Sequence, residues 1–554
     1  MSQDLLTQIY NAFDPFEPLP AGDPAYVDCA EVRGDTNILV DLGNKLLRSD
    51  RMVCQLYAGH RGGGKSTELL RLKDHLEKKG CVVVYFAADE DDIDPEDAQY
   101  TDILLSCTRH LLEELKNADP APILGWLGDR WQDLKELALT KISFEKLSVE
   151  AQISEFAKLT ASIRAIPSER QKIRELVNPH TITLLKALNE FIDDAKRKLP
   201  KGKTHLVAIA DNLDRIVPIP QEHGRTNHDE IFLDRAQQLQ GLNCHIIYTI
   251  PISMVYSSRA ADLRDIYGDP QVLPMIMVQT PDGKTDEAGI AKIIEIITKR
   301  INRTDLNLVP DIFASLEGLQ RICLMSGGNV RNLILLVRSS IVYIDTLPIT
   351  DKAIQRSINQ ARDTYRHIIE PEEWELLAKV AQYKQIDNDE DYRKLLFNRS
   401  VLQYIYFDPD GELQPWYDVH PLIKSIQQFK DAFQSMVTQI QQINQSNLSP
   451  DKIHIYGNNE QLYVNIQNIK HPLLSTDAEL IKVMDEAEKL YAQKIDEENY
   501  LEASQIARDI HEMYERVAES LKMKQDSDEY SDAIQWSSYW KIRQQTNARR
   551  IRSN

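Results

Sequence analysis

An α/β fold built on a doubly wound parallel sheet is predicted by three features of this 554-residue sequence. The first is the stretch Gly59-His60-Arg61-Gly62-Gly63-Gly64-Lys65-Ser66-Thr67, which follows an apolar run from Met52 to Ala58 and opens a helical pattern at Glu68-Leu69-Leu70. The second is a set of continuous apolar runs, Cys81 to Phe86, His205 to Ala210 and His245 to Ile250, separated by helical patterns. Such runs are expected of strands buried on both faces of a parallel sheet. The third is Asp211, an acid closing the strand at 205–210.

The nine-residue stretch fits G-x-x-x-x-G-K-[ST] in the required setting of strand, loop and helix. Its backbone N–H groups, with the positive end of the following helix, form a cradle for a nucleotide's phosphates. Lys65 is expected to reach the β- and γ-phosphates, and the Ser66 hydroxyl to ligate Mg²⁺. Asp211, at the strand end that faces the nucleotide, is expected to hold the same Mg²⁺ through water. Thr249, near the end of the 245–250 strand, is placed to bond the γ-phosphate or the attacking water. Arg331 opens a helix after Ser326-Gly327-Gly328-Asn329. A cation there opposes the helix dipole, which an anion such as a γ-phosphate would relieve.

Composition bounds the rest. A 42% apolar fraction supports real cores, and the length suits about two to four domains. The net charge of −20 opposes broad, non-specific binding to nucleic acid or anionic membrane. No run approaches the about 18 apolar residues that span a bilayer, and Met1-Ser2-Gln3-Asp4 does not begin a signal peptide. The six cysteines lack C-x-x-C spacing and sit mostly in apolar runs, as reduced core thiols do. A soluble, cytoplasmic protein without membrane contact is expected.

Taken in order, the chain begins with an extended, proline-rich lead at Asp14 to Pro20 and a helical stretch from Leu39 to Leu47. Val27 or Arg33 could pack over a base, or simply within a core. Helices are expected near 66–79, 101–117, 179–198 and 229–241, and a further strand from Val272 to Val278. Between 118 and 180 the apolar residues Ile142, Phe144, Leu147, Val149, Ala151 and Ile153 nearly alternate, which leaves a strand pair and a helix both open. From 284 the pattern is helical. Residues 366–430 read as two helices and a hairpin turning at Asp408-Pro409-Asp410-Gly411, the layout of a winged helix. The helix before the wing mixes Asp389, Glu390 and Asp391 with Arg393, Lys394 and Arg399, which favours a protein contact over a DNA-reading surface. A Gln/Asn/Ser-rich linker, a hairpin near 453–466, two amphipathic helices at 476–497 and 499–522, and a basic tail from Lys541 complete the chain.

The order of these parts resembles the AAA+/STAND group of P-loop ATPases, above all their bacterial signalling and conflict-system members. The resemblance rests on the phosphate loop, Asp211-Asn212-Leu213-Asp214-Arg215, Tyr248-Thr249-Ile250-Pro251 and Ser326 to Arg331, and covers residues 25–350. It implies an ATPase with ATP and Mg²⁺ as ligands. Lys65 and Ser66 would bind phosphate and metal, Asp211 would be the second metal contact, and Thr249 and Arg331 would be the first and second sensors. It also implies a homo-oligomer in which Arg259 or Arg264 reaches a neighbour's nucleotide. The corresponding boundaries are an N-terminal extension, 1–50; a P-loop ATPase core, 51–283, with an insertion at 118–180; a helical lid, 284–365; a winged-helix-like module, 366–430; a linker and hairpin, 431–475; and a C-terminal helical interaction region, 476–554. The pattern Asp496 to Ser504 resembles helical hairpins of DNA-repair nuclease subunits and a single tetratricopeptide unit, either of which implies binding of an effector or signalling partner.

One position departs from the family. Many of these ATPases carry Glu directly after the metal-binding aspartate, as general base for the attacking water; here the residue is Asn212. Asp214, Asp89 and Glu90 are the candidate substitutes. Three functions remain: a slowly hydrolysing switch, a DNA-acting loader or regulator, and a scaffold stabilised by nucleotide. The lack of an N-K-x-D element favours ATP over GTP.

Overall fold

The computed structural model describes residues 2–130, 146–221, 225–387, 389–408 and 411–446, and beyond them the stretches 454–458, 461–466 and 469–472, the pair 507–508, and Tyr491 and His511. The chain divides into two units, Met1–Gln434 and Ser435–Asn554. The expected C-terminal helices and basic tail lie outside the described residues, apart from those few helical positions.

In the first unit, β1 (Cys54–Gly59), β2 (Cys81–Ala87), β3 (His205–Asp211), β4 (His245–Ile250) and β5 (Gln271–Leu273) form one sheet in the order β2-β3-β4-β1-β5. Every pairing is parallel. The α/β doubly wound fold follows from the strand composition. Alternate residues of β3 serve opposite faces: Leu206, Ala208 and Ala210 join the core under the helices Tyr100–Glu114 and Thr181–Arg197, whereas Val207 and Ile209 join the core under Lys65–Lys78. Because the strands are parallel, their C-terminal ends gather at one edge. The register sets Ala87 beside Asp211 and Tyr57 beside Thr249.

The stretch before residue 180 is helical where it is described: Val149–Ala165, then Pro167–Val177. Ser148 supplies the reason, since its hydroxyl accepts the Ala151 N–H at 3.3 Å and caps the first helix. Ile142 and Phe144 lie outside the described residues.

Two expected elements are corrected. The strand expected from Val272 to Val278 ends at Leu273. Pro274 has no N–H to offer, and the next donors bond elsewhere, Met275 to the Gln403 carbonyl and Met277 to the Val32 carbonyl, each at 3.1 Å. The helix expected at 229–241 is interrupted by a wide turn at Glu230–Asp234 before resuming at Ala236–Gln240. An N-terminal helix, Ser2–Ala12, adds to the expected elements. Ile9 and Phe13, four residues apart, anchor this segment in the lid core.

The lid helices Glu287–Ile301, Leu316–Met325, Val330–Val342 and Asp351–Ile368 share that core with the winged-helix-like region. The latter comprises the helices Glu373–Tyr383 and Glu390–Phe397 and an antiparallel hairpin of β6 (Val401–Phe407) and β7 (Leu413–Val419). In the second unit, β8 (His454–Asn458), β9 (Gln461–Ile466) and β10 (Ile469–Pro472) form an antiparallel three-stranded sheet, one strand more than the expected hairpin.

Gly328 links lid and core. Its φ is +74°, and a Cβ there would lie 1.8 Å from the Ile276 carbonyl oxygen. Gly328→Ala should therefore lower unfolding stability by about 2–5 kcal/mol. Urea unfolding of the parent and the variant measures this, and equal midpoints would contradict the packing described.

Candidate functional site

The phosphate loop leaves β1 at Gly59 and enters the helix Lys65–Lys78. A cavity of about 440 Å³ opens above it. Its walls include Gly62, Gly64, Lys65, Ser66 and Thr67 of the loop, Asn212, Asp214 and Arg215 after β3, and Arg331 of the lid. Strand, loop and helix thus stand where the sequence places them, and the helix N-terminus faces the cavity.

Lys65 is almost wholly buried. Its ammonium donates to the Gly59 and His60 carbonyls at 2.8 and 3.1 Å and pairs with Asp214 at 2.9 Å. Asp211 is 1% exposed and has a different environment. Tyr85 Oη donates to it at 2.8 Å and the Asn212 N–H at 2.7 Å, and the Ser66 hydroxyl is within hydrogen-bonding reach. Burial raises its carboxyl above the usual carboxylate range and Asp214 adds to the rise, while these three donors act against it. Asp211 is therefore a buried carboxyl group served by neutral donors, beside a serine hydroxyl and a second acid. That donor set fits Mg²⁺, with Ser66 and Asp211 as the protein ligands. No cluster of three or more His, Cys, Asp or Glu side chains suited to a metal occurs among the described residues.

Asn212 adopts a left-handed conformation, φ 66° and ψ 8°, and opens the short turn Leu213–Arg215. Asn tolerates that conformation better than most residues. The turn points Asp214 at Lys65 and Arg215 at Asp89, the latter pair 2.6 Å apart. Of the candidate substitute bases, Asp214 and Asp89 are thus held in ion pairs, and Glu90 is an exposed residue of the cavity wall.

Thr249 is fully buried, and its hydroxyl accepts the Leu213 N–H at 2.9 Å. It is not among the residues lining the cavity. It braces the turn that carries Asp214. Arg331 does line the cavity: its backbone N–H donates to the Gly62 carbonyl at 3.0 Å and its Nε to the Pro15 carbonyl at 3.2 Å. Arg259 pairs with Asp262 and Asp234, and Arg264 with Asp269. Val27 packs in the lid core, while Arg33 donates to the Gly63 carbonyl at 2.7 Å from beneath the loop.

The variable positions of the loop turn toward the winged-helix-like region. His60, 1% exposed, accepts the Gln403 N–H on Nε2 at 2.9 Å. The Arg61 guanidinium lies 4.4 Å from the centre of the Phe397 ring. Gly62 sits under the lid, where a Cβ would approach Arg331 Cβ and Asn329 Oδ1 to 2.7 Å. Asn329 in turn donates to the Arg61 carbonyl at 2.9 Å. Around the loop, Arg61 and Arg331 are both held below the usual arginine range. Burial, then Arg399, brings Arg61 down to about 10, and burial also lowers Arg331, with Arg215 and Arg399 adding to it. Anionic phosphates would relieve this field.

Sequence reasoning missed the N-terminal segment of this wall. Asp14 to Pro18 border the cavity, and the Leu19 N–H donates to Thr67 Oγ1 at 3.2 Å. The proline spacing indicates extended chain but carries no sign of where it docks. His110 was missed for the same reason: a histidine within a helical pattern shows no destination.

No protein-family model matches the sequence, and no curated protein matches it. Among solved structures, the chain is similar to Cdc6p from Pyrobaculum aerophilum, with 14% identity over 77% of this chain and 98% of that one and a TM-score of 0.35. It is similar at 10% identity and the same coverage and score to the Aeropyrum pernix ORC2 protein, in ADPNP–ADP complexes. The Aeropyrum pernix ORC1 protein, in complex with DNA, matches at 11% identity over 78% and 98% of the two chains, with a TM-score of 0.33. The fold described above stands on the strand order and register of this chain itself.

The His60 contact has a pH signature. Burial, with Lys65 and Arg399, holds its imidazole down to about 3. The neutral ring is enforced in the fold and not in the unfolded chain. Its contribution is therefore complete above pH 6.5 and declines as the pH falls toward 3. Between about pH 7 and pH 5 the stability of the parent should fall relative to His60→Gln by about 2 kcal/mol. Denaturant titrations at the two pH values test this, and a pH-independent difference would show that His60 titrates normally.

Proposed function

We propose that this protein is an ATP-binding and slowly hydrolysing molecular switch, of the AAA+/STAND kind, that couples nucleotide state to self-assembly and to control of a partner protein in a bacterial signalling or defence system. One observation carries the proposal. The same nine-residue loop presents its backbone and Lys65 to the phosphate cavity and its His60 and Arg61 side chains to the winged-helix-like region. A ligand that reshapes the loop must act on both.

Lys65 begins in an ion pair with Asp214. Incoming phosphates compete for that ammonium, and a freed Asp214 changes the turn that Thr249 and Asn212 brace. Arg331 follows the Gly62 carbonyl and the cavity together, so phosphate binding bears directly on the lid helix Val330–Val342. Ser66 and Asp211 are the residues that would hold Mg²⁺, which would supply charge neutralisation for the β- and γ-phosphates. Slow hydrolysis accords with Asn212, which accepts no proton.

The DNA-acting reading has less support. In the helix before the wing, Arg393 is buried against Asp229 and Glu390, and Lys394 pairs with Glu370 and Glu373. Arg393 is thus committed internally, and the more exposed Lys394 is neutralised by two acids. Duplex DNA should accordingly leave the ATPase rate unchanged at low and moderate salt. A strong stimulation that salt abolishes would favour DNA instead.

Assembly gives the direct test. With Mg²⁺ and a non-hydrolysable ATP analogue, light scattering should report a particle at least twice the 63.6 kDa chain mass, against a smaller apo species. The variant carrying Lys65→Ala together with Asp214→Asn, which leaves no buried acid unpaired, should lose both nucleotide binding and the size change. Normal assembly by that variant would sink the proposal.

A further inference from the structure

The phosphate cavity has a second wall, formed after β2, and it carries a histidine that the loop chemistry does not use. His110, in the helix Tyr100–Glu114, lines the cavity together with Phe86, Ala87 and Glu90. Its ring stacks on Phe86, centroids 4.3 Å apart and planes within 10°, which fixes its plane. Nε2 lies 2.8 Å from Asp92 Oδ2. Asp92 is 1% exposed and is held by Arg109 at 2.7 Å and Ser106 at 3.0 Å. Burial raises its carboxyl, but His110 and Arg109 outweigh that and leave it below the usual range, so it is a carboxylate. A carboxylate beside Nε2 requires the proton to sit there. In the neutral ring the lone pair is then on Nδ1, which has no protein partner among the described residues.

We propose that His110, oriented by Asp92, is the general base for ATP hydrolysis in this chain, in place of the glutamate absent at Asn212. This rests on the ATPase reading above. In the step, the oxygen of a water attacks the γ-phosphorus and its proton passes to His110 Nδ1. The bond from the γ-phosphorus to the β,γ-bridging oxygen breaks, and its electron pair leaves with ADP. Asp92 stabilises the imidazolium, which then returns the proton to solvent. No oxidant, reductant or further reactant is needed. The alternatives are less suited: Asp214 is bound to Lys65, Asp89 to Arg215, and Glu90 stands exposed at the rim.

Single-turnover hydrolysis of Mg-ATP and the affinity for a fluorescent ATP analogue, measured on the full chain, test the assignment. His110→Ala should lower the rate about 100-fold while keeping nucleotide affinity, and added imidazole should restore part of the loss. Asp92→Asn should also slow turnover, without rescue by imidazole. A parent rate in His110→Ala, or a loss that imidazole leaves untouched, overturns the assignment; if Glu90→Gln alone abolishes turnover, the base is Glu90. Failure of the ATPase reading looks different: the parent protein itself would bind no nucleotide.

Discussion

A buried ion pair, Lys65 with Asp214, stands where strand, loop and lid meet. Both side chains are 5% exposed, so neither charge is satisfied by water. Removing one partner from such a pair typically costs about 3–5 kcal/mol, because the other remains buried and unmatched. The pair determines the shape around it. Lys65 draws the Gly59 and His60 carbonyls inward and closes the loop on itself, and Asp214 reaches it only because Asn212 turns left-handed and Thr249 braces the next residue. Any phosphate that recruits Lys65 must replace what Asp214 supplies.

The surroundings of the loop make that exchange consequential. Arg33 holds the Gly63 carbonyl from below, Asn329 and Arg331 hold the Arg61 and Gly62 backbone from the lid, and Gln403 donates to His60 from β6. Three regions far apart in sequence therefore meet on one short piece of backbone. A close-packed junction of this kind transmits a shift rather than absorbing it, since interiors have little free volume. His60 also limits chemistry: the bond from Gln403 survives only while the ring is neutral.

Much of this was legible in the residues. Period and composition located β1, β2, β3 and β4, since an unbroken apolar run such as Cys81 to Phe86 is long enough for a buried strand and too short for a buried helix. The glycine-rich motif located the cavity floor, and Asp211 followed from its place at a strand end. What escaped was decided by partners distant in sequence. Pro274 to Val278 looks like strand by composition, but its N–H groups bond to Gln403 and Val32 instead of β1. Strand position alone directs Thr249 at the nucleotide, whereas its hydroxyl meets the Leu213 N–H. His60 and Arg61 occupy the freely variable positions of the motif, where no pattern predicts a contact. The Asp92–His110 pair joins a turn to a helix eighteen residues later, a spacing without a local rule.

The left-handed backbone at Asn212 bears on how this site could be altered. Introducing a glutamate at position 212 would look like a single side-chain exchange. Here the exchange would place a long side chain, with no short amide to bond its own backbone, at φ 66°, a strain of about 1–3 kcal/mol. Relieving the strain would rotate the turn and withdraw Asp214 from Lys65. The turn and the general-base position are thus mutually exclusive occupants of one backbone step. Introducing Glu at this position would therefore require rebuilding the segment from Asp211 to Arg215 as a unit.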